Sequence, residues 1–543
     1  MVFKRLSDGE KMPKVAIRLD SVLRASAIVS LFWIGAKLLN FFKKILIGKL
    51  FGVSWVADAF FAASYLPYYL AIFFEGILFL VFLPLFSKIV AEKGEEEGKQ
   101  FAAQVLLFVF LVTALLAALA WWKAPWIVHE LVPGFTAPKQ DLTLSLLQIL
   151  SLVVIFLSLG SFFKVLNSYF GAYGLAASSG FVETVVMIGV TLVSWRIWGV
   201  YGAAWGSVAG ALTALAIQSG FLILEKGILP KQWVLRSPWL RQFFYALLPM
   251  MGIWGFQQIS LVILNRFGSG MWEGTISALT IAYALITVPM GLVSHTVLFA
   301  VFPSLAKQGN EVDPENAKAT FFQTLRGGFL LLIPLGFALS AFARPLAALF
   351  FDGNGVSHEG TRRIANALTC LGWATFALYA DVFMVQSLNA VRKSLPALLL
   401  CAARAIVTYL LTYLLSDWWD YQGLALSLSL ALVINLYLFF PLFFRLSPFQ
   451  GEWNNLFRYS GKLVLASSPV ALMGWFLNQG PITQWLGLSK PVLILGLGAG
   501  GAAGIVSYVL LVSWLGVGEV RLLFQELRRT RARENWRLAE SNE

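Results

Sequence analysis

Three lysines, Lys37, Lys43 and Lys44, fall inside the first apolar run of this chain, and Lys49 stands near its end. If that run is a helix starting near Ala25, Lys37 lies about 18 Å along its axis, close to mid-bilayer. Lys37 and Lys44 are seven residues apart and so share a helix face. Lys43, Lys44 and Lys49 can also snorkel to outer headgroups, a path that is harder for Lys37. Three ammonium groups on one cavity wall would hold a phosphate-bearing substrate. Carboxylates occupy similar depths. Asp58 starts the next apolar run and Glu75 lies part of the way along it, before Gly76. Glu183, Asp381, Arg404 and Lys164 sit inside later runs. An ionisable group in hydrocarbon is costly, so each is expected to be paired or to serve transport. Asp58 can equally cap its own helix. Glu75 can equally pair with a lysine or hydrogen-bond a neighbouring helix. Asp381 and Arg404 lie on consecutive runs and can pair with each other. Any of these carboxylates can carry a proton or Na+ in place of a structural role. His295 reads as a hydrogen-bonded packing group.

The elements that must position these groups are long apolar helices. Of 543 residues, 58% are hydrophobic and 13% charged, and the mean hydropathy is +0.75. That composition belongs to a polytopic helical membrane protein. The runs lack period-two alternation and are too long for barrel strands. Fourteen candidate helices lie between residues 25 and 517.

The net charge of +13 raises the question of nucleic acid. The basic residues instead lie mainly in short loops and tails, as expected where cytoplasmic loops face anionic lipid. With fourteen spans, Lys88, Lys93 and Lys99, then Lys226, Lys231, Arg236 and Arg241, then Arg445, Arg458 and Lys462 share one side with both tails. The positive-inside rule makes that side, and both termini, cytoplasmic. Arg362 and Arg363 are exceptions on the other face. The basic N-terminus lacks a signal peptide's early apolar core, so the first run is expected to be a retained helix. No loop is long enough to fold by itself.

Several motifs carry no chemistry. Gly496–Gly501 fits GxGxxG but lies in an apolar run without a preceding strand, where Gly500 and Gly504 suit a close helix contact. There is no Walker A sequence. Cys370 and Cys401 both fall in apolar spans and give neither a disulfide framework nor metal spacing. Trp121, Trp122, Trp126, Trp418 and Trp419 near span ends read as an interfacial belt.

The stretch 51–87 and the stretch 267–307 share an outline: FG, an apolar helix, then FLPLFSK or FPSLAK. The repeat divides the chain into a tail (1–24), an N-lobe of helices 1–6 (25–225), a C-lobe of helices 7–12 (226–450), a final helix pair (451–517) and a second tail (518–543). Each unit has an even helix count, so the repeat is parallel, and two lobes should enclose a central cavity.

The segments FGVSWVADAFFAA, YLP, FFEG and LPLFS, with APWIVHELVPGF, GFQQISL and LFFDGNG, resemble the signature of the MurJ (MviN) lipid II flippases. These belong to the multidrug/oligosaccharidyl-lipid/polysaccharide exporter superfamily. The resemblance covers nearly the whole chain. It implies a V-shaped pair of six-helix lobes and a lipid-tail groove made by the last two helices. It also implies movement of an undecaprenyl-pyrophosphate-linked peptidoglycan precursor from the inner to the outer leaflet of a bacterial cytoplasmic membrane. Cationic cavity residues would hold the pyrophosphate. The chain departs from the family pattern at several positions. Lys37 and Lys43 stand where the family has helix 1 arginines, and Lys44 stands where it has an acid. Ala71 and Ala284 fall where arginines are expected, and Asp381 aligns near a lysine of some relatives. Lys164 or Arg404 would have to compensate.

The expectation is therefore a monomeric transporter without cofactor, resting on membrane lipid and binding no nucleic acid. Lys37, Lys43, Lys44, Lys164 and Arg404 would bind the anionic headgroup. Asp58, Glu75, Glu183 and Asp381 would gate or couple to membrane potential, H+ or Na+. Flipping of another polyprenyl-linked glycan is the alternative. A cation-coupled multidrug exporter would need an acidic cavity, and a membrane glycosyltransferase would need acidic ligands on an external loop.

Overall fold

The protein is described from a computed structural model, covering residues 19–226, 238–310, 314–352, 355–391, 393–446, 451–479 and 490–517. Residues 1–18 of the expected tail 1–24, the expected tail 518–543 and the side chain of His295 lie outside the described residues, whereas residues 19–24 are helical and open the first helix. Among those residues the structure is helical, with no strand.

Helix α1 spans Leu19–Phe51 and ends at Gly52, whose φ of 75° turns the chain. Ser54, in the extended region, precedes α2 (Trp55–Ile77). A π turn, Leu78–Phe82, joins α2 to α3 (Leu83–Lys93), where Pro84 in the first turn lacks the backbone donor that would continue the regular ladder. The N-lobe continues with α4 (Glu95–Trp122), the short α5 (Ala124–Leu131), α6 (Ala137–Tyr169), α7 (Tyr173–Trp198) and α8 (Val200–Lys226). The C-lobe holds α9 (Pro238–Gly268), α10 (Thr275–Asn310), α11 (Pro314–Ala341), α12 (Ala343–Phe351), α13 (His358–Gly372), α14 (Thr375–Ala390) and α15 (Ser394–Ile434). Helix α15 breaks at Trp419 and Asp420, where φ of −128° and 50° leave the helical region. A second π turn, Asn435–Phe439, leads into the short α16 (Phe440–Phe443). Helices α17 (Trp453–Gln479) and α18 (Lys490–Trp514) pack on each other and on α11.

Ten of the described helical stretches are long and apolar enough to cross a membrane, or eleven if α13 and α14, bent by 55°, form one span. The chain is a multi-pass membrane protein. The expected count of fourteen is larger than either figure. Helix α1, with its lysines, and α17 are not among the ten, and α15 is counted once although it is broken midway.

Small residues set the helix spacing. Gly202, Gly206 and Gly210 form a stripe on α8 facing α7. A Cβ added at Gly210 would stand 2.3 Å from the Glu183 carbonyl oxygen, and one at Gly206 would stand 2.9 Å from that of Met187. Lacking a strong hydrophobic drive between helices, a bilayer favours such close backbone contact. Gly504 of α18 faces Val470 of α17, with a Cβ there 3.3 Å from the valine. The lobes meet along α2–α9, α2–α10 and α1–α10.

Candidate functional site

The sequence-selected charges fall into three groups. The first faces the space between the lobes. Lys164 Nζ on α6 lies 2.6 Å from Glu75 Oε1 on α2, with both side chains about a third to two-fifths exposed, at 32% and 43%. Lys37 on α1 sits over the Trp33 ring, 5.4 Å from its centroid, within electrostatic range of both Glu75 and Lys164. On the facing lobe stands Gly291 of α10, where a Cβ would lie 3.9 Å from Lys37 Cε. The absent side chain leaves the ammonium room at the lobe boundary.

The second group lies deeper in the N-lobe. Lys43 Nζ is 3.7 Å from Glu183 Oε1, with 13% and 9% of the two side chains exposed. The Tyr68 hydroxyl donates to the same Oε1 at 3.0 Å, and Lys43 lies 4.7 Å over the Tyr68 ring. Gly210 presses against the Glu183 carbonyl and so fixes the depth of this carboxylate. The three-lysine wall is therefore divided: Lys43 has its own carboxylate, and among the described residues Lys37 and Lys44 form no ion pair. Lys44 has Lys43 and Lys37 as its charged neighbours. Four ammonium groups, Lys37, Lys43, Lys44 and Lys164, stand against two carboxylates, Glu75 and Glu183, so an anion is the ligand this region favours.

The third group consists of two buried carboxylates: Asp58 ties the N-lobe to the C-lobe, and Asp381 ties helices within the C-lobe to one another. Asp58, 1% exposed, makes no cap for its own helix. Its Oδ1 accepts from the Ser277 backbone N–H at 2.7 Å and the Ser277 hydroxyl at 2.8 Å. Its Oδ2 accepts from the Gly274 N–H at 2.8 Å and from Lys139 Nζ at 2.8 Å. Asp58 thus caps α10, in the opposite lobe, where free N–H groups and the helix dipole favour an anion. At the same end, a Cβ on Gly134 would stand 2.4 Å from Gly270, and Arg266 bonds to Glu130 at 3.0 Å. This end of the molecule is closed.

Asp381 of α14 pairs with Arg404 of α15 and accepts from Asn435 Nδ2 at 3.0 Å. Arg404 also donates to the Gln257 carbonyl on α9. One residue on, the Gln258 carbonyl accepts from the Tyr65 hydroxyl of α2 at 2.9 Å, and that of Trp254 accepts from Tyr69 at 2.7 Å.

Sequence reasoning missed Lys139, Ser277, Tyr68, Asn435 and the α9 carbonyls. Lys139 reads as an ordinary loop lysine, although it is 6% exposed. The doubled FG outline was the usable signal for Ser277, since it marks the start of the C-lobe helix that Asp58 caps. No group of three or more His, Cys, Asp or Glu among the described residues can hold a metal ion.

Comparison with known proteins agrees with this architecture. A family model described as "Lipid II flippase MurJ" matches residues 47–495. A lipid II flippase MurJ of Burkholderia cenocepacia is 24% identical over 431 residues, covering 77% of this chain and 83% of the relative. A probable lipid II flippase MurJ of Vibrio cholerae is 23% identical over 523 residues, covering 91% of this chain and 96% of the relative. Among solved structures, a lipid II flippase MurJ in an inward closed conformation superposes with a TM-score of 0.72 at 20% identity, covering 89% of this chain and 98% of that one. An inward-facing multidrug resistance MATE transporter of the MOP superfamily gives 0.61 at 13% identity, covering 75% and 95%. These two likenesses concern the fold. The family model spans most of the chain, from helix α1 into α18, and the chain belongs to the lipid II flippase MurJ family of membrane transporters.

Proposed function

We propose that this chain flips lipid II, a polyprenyl-pyrophosphate-linked saccharide, across a bacterial cytoplasmic membrane by alternating access. The observation that carries the reading is the ammonium cluster at the lobe boundary, with Lys37 beside the Lys164–Glu75 pair and an excess of two positive charges over the N-lobe region. A pyrophosphate diester would take Lys37 and Lys44 directly. It would compete with Glu75 for Lys164 and with Glu183 for Lys43. Ammonium groups bind phosphate as point charges, without the fork of arginine, and this tolerates a headgroup that must be released again.

The Asp58 latch would close the outer end while the headgroup loads from the cytoplasmic side. That orientation follows the positive-inside rule, with both termini cytoplasmic. Opening outward breaks the hydrogen bonds from Gly274 and Ser277 and frees the lobes to rock, while Lys139 stays with Asp58 in the N-lobe and keeps its charge paired. An inside-negative potential assists an anion moving out by about 2.3 kcal/mol per charge per 100 mV. Glu75 and Glu183 would take part in resetting the cycle. The chain acts as a monomer, its lipid tail held against α17 and α18.

Alanine at 71 and 284 and lysine at 37 and 43 support a second reading, flipping of another polyprenyl-linked glycan. The test is complementation of a bacterium depleted of its own lipid II flippase. Survival with the wild-type chain and death with Lys37→Ala is the expected result. No rescue, with the chain well expressed in the membrane, overturns the lipid II reading in favour of the other glycan.

A further inference from the structure

Asp381 lies in an apolar span, 1% exposed, and a transporter carboxylate in that position commonly holds an exchangeable ion. Here its oxygens already have partners. Arg404, 5% exposed, pairs with Oδ2 and donates onward to the Gln257 carbonyl. Asn435, fully buried, donates to Oδ1 at 3.0 Å. A guanidinium stays charged at any accessible pH and cannot diffuse away. It is joined to α15 one turn from Cys401, and its other electrostatic neighbours are Tyr283 and Tyr65, not a second carboxylate. Arg404 therefore cannot spare its charge for a substrate phosphate without leaving Asp381 bare in the C-lobe.

The surrounding atoms have a definite chemistry. Besides the Asp381 carboxylate and the Gln257 carbonyl, the buried Asn435 Oδ1 has no hydrogen-bond partner among the described residues. A carboxylate, an amide oxygen and a backbone carbonyl are hard oxygen donors, the set that binds a small hard cation. Asn435 opens the π turn that joins α15 to α16, so its amide is presented from an irregular stretch of helix.

We propose that Arg404 is a tethered counter-cation: it fills an oxygen-lined monovalent-cation site at Asp381, so the C-lobe of this transporter takes up no exchangeable ion there. The inference rests on the chain being a transporter and is independent of which lipid it carries. Asp381 then holds α9, α14 and α15 in register in place of coupling, and Arg404 is a positioning residue.

The test is thermal unfolding of the purified full chain in detergent, in NaCl, LiCl, KCl or N-methyl-glucamine chloride at equal ionic strength. The wild type should unfold at one midpoint in all four. Arg404→Gln should unfold earlier in N-methyl-glucamine, and Na+ or Li+ should restore it saturably. Asp381→Asn combined with Arg404→Gln should lose that cation response and unfold later than Arg404→Gln in N-methyl-glucamine. Arg404→Lys should remain indifferent to the cation. If Arg404→Gln fails to fold in any salt while the double variant and Arg404→Lys fold, the bare carboxylate is the fault and the proposal stands. It is overturned if the wild type shows a Na+ response that Asp381→Asn removes. It is also overturned if Arg404→Gln ignores every cation and is as stable as the double variant, or if the double variant and Arg404→Lys both fail to fold.

Discussion

Asp58 on α2 and Ser277 on α10 are 219 residues apart and joined by two hydrogen bonds, one from the backbone N–H at 2.7 Å and one from the hydroxyl at 2.8 Å. A carboxylate of one lobe thereby completes the first turn of a helix in the other. With Lys139 at 2.8 Å from the same side chain, this pairing can hold an end of the molecule closed and can be broken as a unit.

Removing one member of a buried ion pair leaves the other uncompensated, at a cost of about 3–5 kcal/mol. Asp58→Asn should therefore lower the thermal midpoint and expose this end. The readout is maleimide labelling of a cysteine placed at Ser269, which should speed up in Asp58→Asn. Ser277→Ala removes a single hydroxyl bond and should weaken closure by about 1 kcal/mol. Unchanged labelling in Asp58→Asn would remove the latch from the mechanism.

In the proposed mechanism Glu75 competes with substrate for Lys164. Both side chains are partly exposed, so solvent screens the pair and its net strength is about 0.5–1 kcal/mol. Glu75→Gln should tighten binding of a polyprenyl pyrophosphate by about two- to fivefold. Lys37→Ala should weaken it more than Glu75→Gln tightens it. Native mass spectrometry with a short-chain polyprenyl pyrophosphate measures both.

Packing of α7 on α8 makes a sharp prediction about two glycines. A side chain at Gly210 meets the Glu183 backbone, so Gly210→Leu should destabilise by well over the roughly 1–3 kcal/mol of ordinary overpacking. Gly189, on α7, has nothing within 4 Å of a built Cβ. Gly189→Ala should be neutral or stabilise by up to about 1 kcal/mol through helix propensity. Fluorescence-detected size exclusion after a heating series separates the two.

Outside the spans, the hydrogen bond from Arg266 holds the Glu130 carboxyl below its ordinary 4.5. A carboxyl lowered by folding contributes its stability above the unfolded value and loses it as pH falls through the folded one. Glu130→Gln should therefore unfold slightly earlier than wild type near neutral pH, and the difference should shrink as pH falls below the ordinary carboxyl value and vanish once the folded carboxyl is protonated. The Glu130 side chain is about half exposed, and solvent screening keeps the gap at neutral pH small. A gap that widens on acidification would contradict the assignment.

Which residues are costly in the membrane is legible in the sequence. Long apolar runs with few charges leave helices as the backbone arrangement that satisfies its own hydrogen bonds in lipid. The buried ionisable residues could then be picked out by type, because each one is expensive there. The Asp381–Arg404 pairing was readable as opposite charges on consecutive helices. The partner of Asp58 was not, since helix capping is a local rule and here it acts between lobes. The division of Lys43 from Lys37 and Lys44 was also hidden. Seven-residue spacing tells which lysines share a face, while Glu183 and Tyr68 come from other helices.

The sequence by itself determined the class of molecule and the set of costly charges, because hydropathy and burial cost are properties of the chain. Tertiary structure decided who partners whom. Hydrogen bonds and ion pairs form only at heavy-atom distances of about 3–4 Å, so whether Arg404 is available to a substrate or bound to Asp381, and whether Asp58 caps α2 or α10, depends on which helices pack together. The glycine stripe of α8 and the close contacts between α1, α2, α9 and α10 set that geometry.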